Sequence, residues 1–143
     1  MTVNDISLKE LLPQKPPFIM IDRLVLSDDT HSVTELEIRE DNVFFDKECL
    51  LASGLVENIA QTCAAGIGFK NIAKGGSVKL GVIGAISNFH INRLPQKGEK
   101  ITTTVKYVEE VFQMIMFDAV VSCGETEIAT ATIKTALTDV VAK

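Results

Sequence analysis

Glu57 and Gln61 carry the first chemical signal: a carboxyl and an amide four residues apart, on one face of a helix at about 100° per residue. They lie in SGLVENIAQTCAAGIGFKNIAK, residues 53–74, where no charge occurs between Asn58 and Phe69. A carboxyl surrounded by apolar or small residues keeps its proton more readily than in water and can serve as a general acid. Its plain alternative is a helix-start Glu that favours the dipole. Two further proton carriers are His31 and His90. His90 shares strand parity with Leu80, Val82, Ile86 and Asn88, which makes it a candidate base, while a satisfied strand histidine is the simpler account. His31 flanks a polar turn. Glu48 sits among charged loop residues and is a second candidate base. Cys49, Cys63 and Cys123 are widely spaced with no ligand-like pairing, so neither a zinc site nor any other cofactor is expected.

The elements that must position these groups can be read in order. Val56, Ile59, Cys63 and Ile67 form an apolar stripe on the 53–74 helix; Ala64 and Gly68 continue the Glu57–Gln61 column. Both faces are therefore expected to be covered, unlike those of a surface helix. Ahead of it, Ser7 and Glu10 form a capping box, with Ile6 and Leu11 as hydrophobic staple, and Pro13 and Pro16-Pro17 stop the short helix. Residues 18–26 and 32–39 read as an antiparallel hairpin, the second strand burying Thr34, Leu36 and Ile38. Residues 41–51 form a loop containing Phe44 and Phe45. Gly75-Gly76-Ser77 ends the long helix, and strands follow over 78–93, 101–109, 112–123 and 127–137. Apolar on both faces apart from Gln113 and Asp118, the 112–121 run is expected to be central. Six antiparallel strands and one buried helix predict an α+β fold, a curved sheet wrapped round the helix.

With 143 residues and 46% apolar content the chain is expected to be a single domain, 1–143. Its net charge of 14 − 19 = −5, without a basic block, argues against nucleic acid and anionic membrane as partners. No secretion leader or membrane-span pattern is visible, and the cysteine usage fits a cytoplasmic protein.

Four motifs then line up with a known family. Leu12-Pro13, Pro17-Phe18 and Asp22-Arg23 resemble the opening signature of the hotdog-fold 3-hydroxyacyl-acyl-carrier-protein dehydratases. Asn42 with Phe44-Phe45 is similar to the segment before their active-site loop. Glu57-Asn58-Ile59-Ala60-Gln61 resembles their central-helix motif, and residues 88–99, NFHINRLPQKGE, their strand and turn. The likeness runs from Leu11 to Leu137. It implies an acyl thioester substrate on acyl carrier protein or coenzyme A, and two chains pairing edge to edge along residues 78–93 as a homodimer or an oligomer of dimers. Glu57 becomes the catalytic acid, with Gly54 and Leu55 N–H groups near the substrate oxygen. Gln61 borders the substrate or positions Glu57, and Phe44 and Phe45 border the substrate or close one end of the core. Arg93 and Lys97 fit an acidic carrier protein or a solvated turn equally.

The departures are equally specific. The family's His-Phe-Pro-Gly loop, which holds its base, is here Phe45-Asp46-Lys47-Glu48-Cys49-Leu50, and its Leu-Pro-His is Leu12-Pro13-Gln14. The pattern is closest to a divergent branch found in aryl-polyene and related pigment gene clusters. Three readings stay open: a dehydratase with Glu57 as acid, a hotdog thioesterase using the same carboxylate, and a partner subunit of a heteromeric dehydratase.

Overall fold

The computed structural model describes residues 2–76 and 79–141. After a 3-10 turn at Val3–Asp5 come α1 (Leu8–Leu11), β1 (Arg23–Ser27), β2 (His31–Glu37) and a small hairpin, β3 (Phe45–Asp46) with β4 (Cys49–Leu50). The long helix α2 (Ala52–Ala73) follows, then β5 (Lys79–Ile91), β6 (Lys100–Val111), β7 (Met114–Cys123) and β8 (Thr126–Val141). Six strands form one antiparallel sheet in the order β1-β2-β6-β7-β8-β5, and α2 packs against β1, β2, β5 and β6. This is the expected hotdog architecture, with β7 inside the sheet and β5 at one edge.

The core lies between α2 and the sheet. Leu55 and Ile59 are fully buried with Ile101, Val121, Ile128 and Ile133; each such side chain contributes roughly 1.5–3 kcal/mol. Cys63 sits in the same cluster, where burial pushes its thiol above the ordinary range. A second cluster joins Ile6, Leu11, Leu12, Ile21 and Leu24 to Ala65 and Phe69 on another face of α2. Gly66 permits the closest helix–sheet approach: a Cβ there would fall onto Ser32 Oγ.

Several expectations need correcting. The first strand starts at Arg23 rather than Phe18, because the backbone at Phe18 and Met20 bonds to α2 side chains instead of a neighbouring strand. Helix α1 is a single turn; Ser7 Oγ bonds the Glu10 carboxylate, at 3.2 Å, and makes no side-chain cap. Phe112 lies in the β6–β7 turn, at φ 57° and 95% exposed, because β6 continues to Val111. The expected 78–93 strand begins at a residue, Val78, outside those described. Among the described residues, no helix is long and apolar enough to cross a membrane.

Candidate active site

The first half of α2 presents two polar faces with different surroundings. On one, Asn58, Gln61 and Thr62 are completely buried. Asn58 Nδ2 donates to the Met20 carbonyl at 2.8 Å, and Asn58 Oδ1 accepts from Thr103 Oγ1. Thr62 Oγ1 donates to the Asn58 carbonyl at 2.8 Å and lies 2.7 Å from Thr34 Oγ1. Gln61 Oε1 accepts from the Met20 N–H at 2.6 Å, while its Nε2 donates to the Phe18 carbonyl at 2.7 Å and to Glu57 Oε1 at 2.9 Å. The amides thus do the work of a missing strand partner. They hold the 18–20 segment, and Gln61 fixes one oxygen of Glu57.

The adjoining face is reached along the Glu57–Gln61 column, where Glu57, one turn before Gln61, is half-buried and opens onto a cleft of about 340 Å³. Ala60, Ala64 and Ile67 of α2 floor it; Gly81, Val82 and Ile83 of β5 and Thr135 of β8 wall it; Gln14 closes one side. The small residues at 60 and 64 leave room for a ligand alongside the carboxyl. Because β5 is the sheet's edge strand, whatever covers that edge also completes the cleft.

The other predicted site residues lie elsewhere. His90 does not line this cleft. About seven residues of strand separate it from Ile83, roughly 20 Å at ~3.3 Å per residue. A register shift between Ser87 and His90, with Asn88 at φ 51°, breaks the parity assumed from sequence. Ile86 and Phe89 both pack on the core, which turns His90 outward to solvent. Glu48 is exposed in the β3–β4 turn. The Gly54 and Leu55 N–H groups both donate to the Leu51 carbonyl, at 2.9 and 3.3 Å, so neither offers a substrate contact. The helix begins one residue before the expected start, which leaves the N–H groups of Ala52 and Ser53 as its first-turn donors. Leu55 is core, and Gly54 is small because a Cβ would come 2.8 Å from Phe44 Cβ. Phe44 and Phe45 pack against the core beside it. Gln61 is committed to the Phe18 and Met20 backbone and to Glu57.

Arg93 and Lys97 are both paired. Arg93 grips both oxygens of Glu99 at 2.8 and 2.9 Å, and Lys97 meets Glu40 at 3.0 Å. The Arg93 guanidinium, then the Gln96 N–H and the Cys123 thiol, lower the Glu99 carboxyl from 4.5 to about 2. Asn58 was not singled out from the sequence, although its place inside the central-helix motif, opposite a run of three threonines at 102–104, is the signal that marks it.

A family model for the ApeP dehydratase matches residues 6–142. The chain belongs to the ApeP-like dehydratase family. The dehydratase heterocomplex ApeI:P from Xenorhabdus doucetiae superposes with TM-score 0.87 at 15% identity, over 94% of this chain and 92% of that one. A hypothetical thioesterase with coenzyme A from Streptococcus pneumoniae gives 0.63 at 14% identity, covering 81% and 84%. The PaaI protein from the E. coli phenylacetic acid degradation operon gives 0.64 at 13%, covering 79% and 80%. At these identities the likenesses establish the hotdog fold. A search of curated protein sequences returns no match.

Proposed function

We propose that this chain is the acid-bearing subunit of a dehydratase acting on 3-hydroxyacyl thioesters of acyl carrier protein or coenzyme A in the cytoplasm. The observation that supports this most is the Glu57 carboxyl, half-buried and opening onto a cleft whose far wall is the edge strand β5. Dehydration removes a C2 proton and the C3 hydroxyl. Glu57 in its protonated form gives its proton to the leaving oxygen, the C3–O bond breaks, and the C2=C3 bond forms as a base takes the C2 proton. N–H groups at the α2 start, Ala52 and Ser53, are the donors nearest in sequence for the thioester oxygen.

The described residues of the cleft include no histidine, so the base comes from a second hotdog chain docked on β5. Val82, Ile83 and Ile91 are exposed along that strand and need such cover. A second copy of this chain repeats the same loop without its His; a different hotdog chain bearing the His supplies the missing half. The relative described as a heterocomplex supports that assembly. A second reading, thioester hydrolysis, is favoured by Glu57 standing without a histidine, since a lone carboxylate can activate water.

The test uses tagged protein purified from its native cells with the chains bound to it, given 3-hydroxyacyl pantetheine thioesters of several lengths. Enoyl absorbance rising without free thiol is the expected result. Thiol release supports hydrolysis instead, and neither signal at any length overturns both catalytic readings.

A further inference from the structure

Gln14 carries a feature that the assignment of Glu57 does not explain. Its side-chain oxygen Oε1 is buried and has no hydrogen-bond partner. An amide oxygen withdrawn from water without a donor is destabilising, and native structures rarely leave one unpaired without reason. Every amide on the neighbouring scaffold face, at Asn58 and Gln61, is bonded on both its oxygen and its nitrogen. The unpaired atom belongs to the residue that shares the Glu57 cleft.

Gln14 also borders a second space. On its other side lies a groove of about 640 Å³ under the N-terminal segment, lined by Leu8, Leu12, Pro13, Pro16, Ile19 and Ile21, among others. Gln14 therefore borders both the carboxyl cleft and an apolar groove. An acyl chain lying across both spaces presents almost no polar groups. On a 3-hydroxyacyl thioester, the group with a proton to donate next to the reacting carbons is the 3-hydroxyl itself.

We propose that Gln14 recognises the substrate's 3-hydroxyl, its amide oxygen accepting the hydroxyl proton while Glu57 acts on the same oxygen. The inference rests on the dehydratase reading and deepens it by naming the residue that distinguishes a hydroxylated chain from a saturated one. A hydroxyl has one proton to donate and two lone pairs, so it can donate to Gln14 and accept from protonated Glu57 at once. When the C3–O bond breaks, the Glu57 proton completes a water molecule that still donates to Gln14. A site built to bond a hydroxyl discriminates strongly against the analogue that lacks it, because its own polar atom is then left unpaired.

The experiment measures binding, so it does not depend on turnover. Amide analogues of 3-hydroxyacyl and saturated acyl pantetheine, matched in length, are titrated into the native assembly containing wild type, Gln14→Leu or Gln14→His. The wild type binds the hydroxylated ligand about tenfold or more tightly. Gln14→Leu, folded by a denaturant midpoint no lower than that of wild type, loses the difference, and Gln14→His, which keeps an acceptor, retains part of it. An unchanged ratio in Gln14→Leu, or no preference in wild type, overturns the inference. Hydroxyl preference lost in Gln14→Leu without enoyl formation in wild type sinks the dehydratase reading and leaves Gln14 recognition standing. Turnover with an unchanged ratio does the reverse.

Discussion

The two polar faces of α2 differ in saturation rather than in composition. Asn58, Gln61 and Thr62 bury their side chains completely and bond every amide end, so this face pins the 18–20 segment to the helix. One helical step round, Glu57 is half-buried over a cleft floored by Ala60 and Ala64, and Gln14 leaves an amide oxygen unbonded. Fully paired buried networks rigidify, whereas a buried polar atom left unpaired is costly and calls for an explanation. Gln61 links the two, with one hydrogen on Phe18 and another on Glu57. The scaffold face thereby fixes the orientation of the acid on the site face.

The contrast predicts different responses to substitution. Asn58→Ala removes the partners of the Met20 carbonyl and the Thr103 hydroxyl in the core, and is expected to cost about 3 kcal/mol in urea unfolding. A loss below about 1 kcal/mol would show that the network is not holding the segment. Gly66→Ala is expected to cost less. Its methyl displaces Ser32, an overpacking effect of about 1–3 kcal/mol, while helix propensity returns about 1 kcal/mol. A net loss near 1 kcal/mol by the same measurement fits; stabilisation would mean that Ser32 swings away freely.

The smallest expected effect lies at the β5–β6 turn. Glu99 titrates at about 2 in the folded protein against an ordinary 4.5, so its ionised form is favoured by folding. That contribution is present in full above about pH 4.5 and is lost as pH falls toward 2. Wild type should therefore lose stability over that window more steeply than Glu99→Gln. Parallel curves would show that the Arg93 pair contributes nothing.

Much of this was legible in the sequence. The long helix is placed within one residue at each end, because a long uncharged run, followed soon after by a glycine pair, has few other solutions. The alternation in β2 likewise gives its buried face, Thr34 and Leu36, directly. Failures came where distant or local geometry intervenes. Phe18 to Met20 reads as strand, yet amides about 40 residues away take its backbone bonds, which no local pattern encodes. The parity of His90 fails because the β5–β8 register shifts more than once, between Ile83 and Ala85 and again between Ser87 and His90. Each extra residue reverses the side chains beyond it. Glu57 stood out by its uncharged surroundings. Gln14 looked like a family departure only, because an unpaired atom is visible in three dimensions and nowhere else.

The central claim is that Glu57 works as an acid and not as a structural remnant. It is tested most directly by Glu57→Gln in the native assembly, with enoyl formation from a 3-hydroxyacyl thioester measured beside the urea midpoint. The prediction is a loss of about 10²–10⁴-fold in turnover with the midpoint unchanged, as expected for removing a general acid. Turnover within a few-fold of wild type, or a loss that merely follows unfolding, would contradict it.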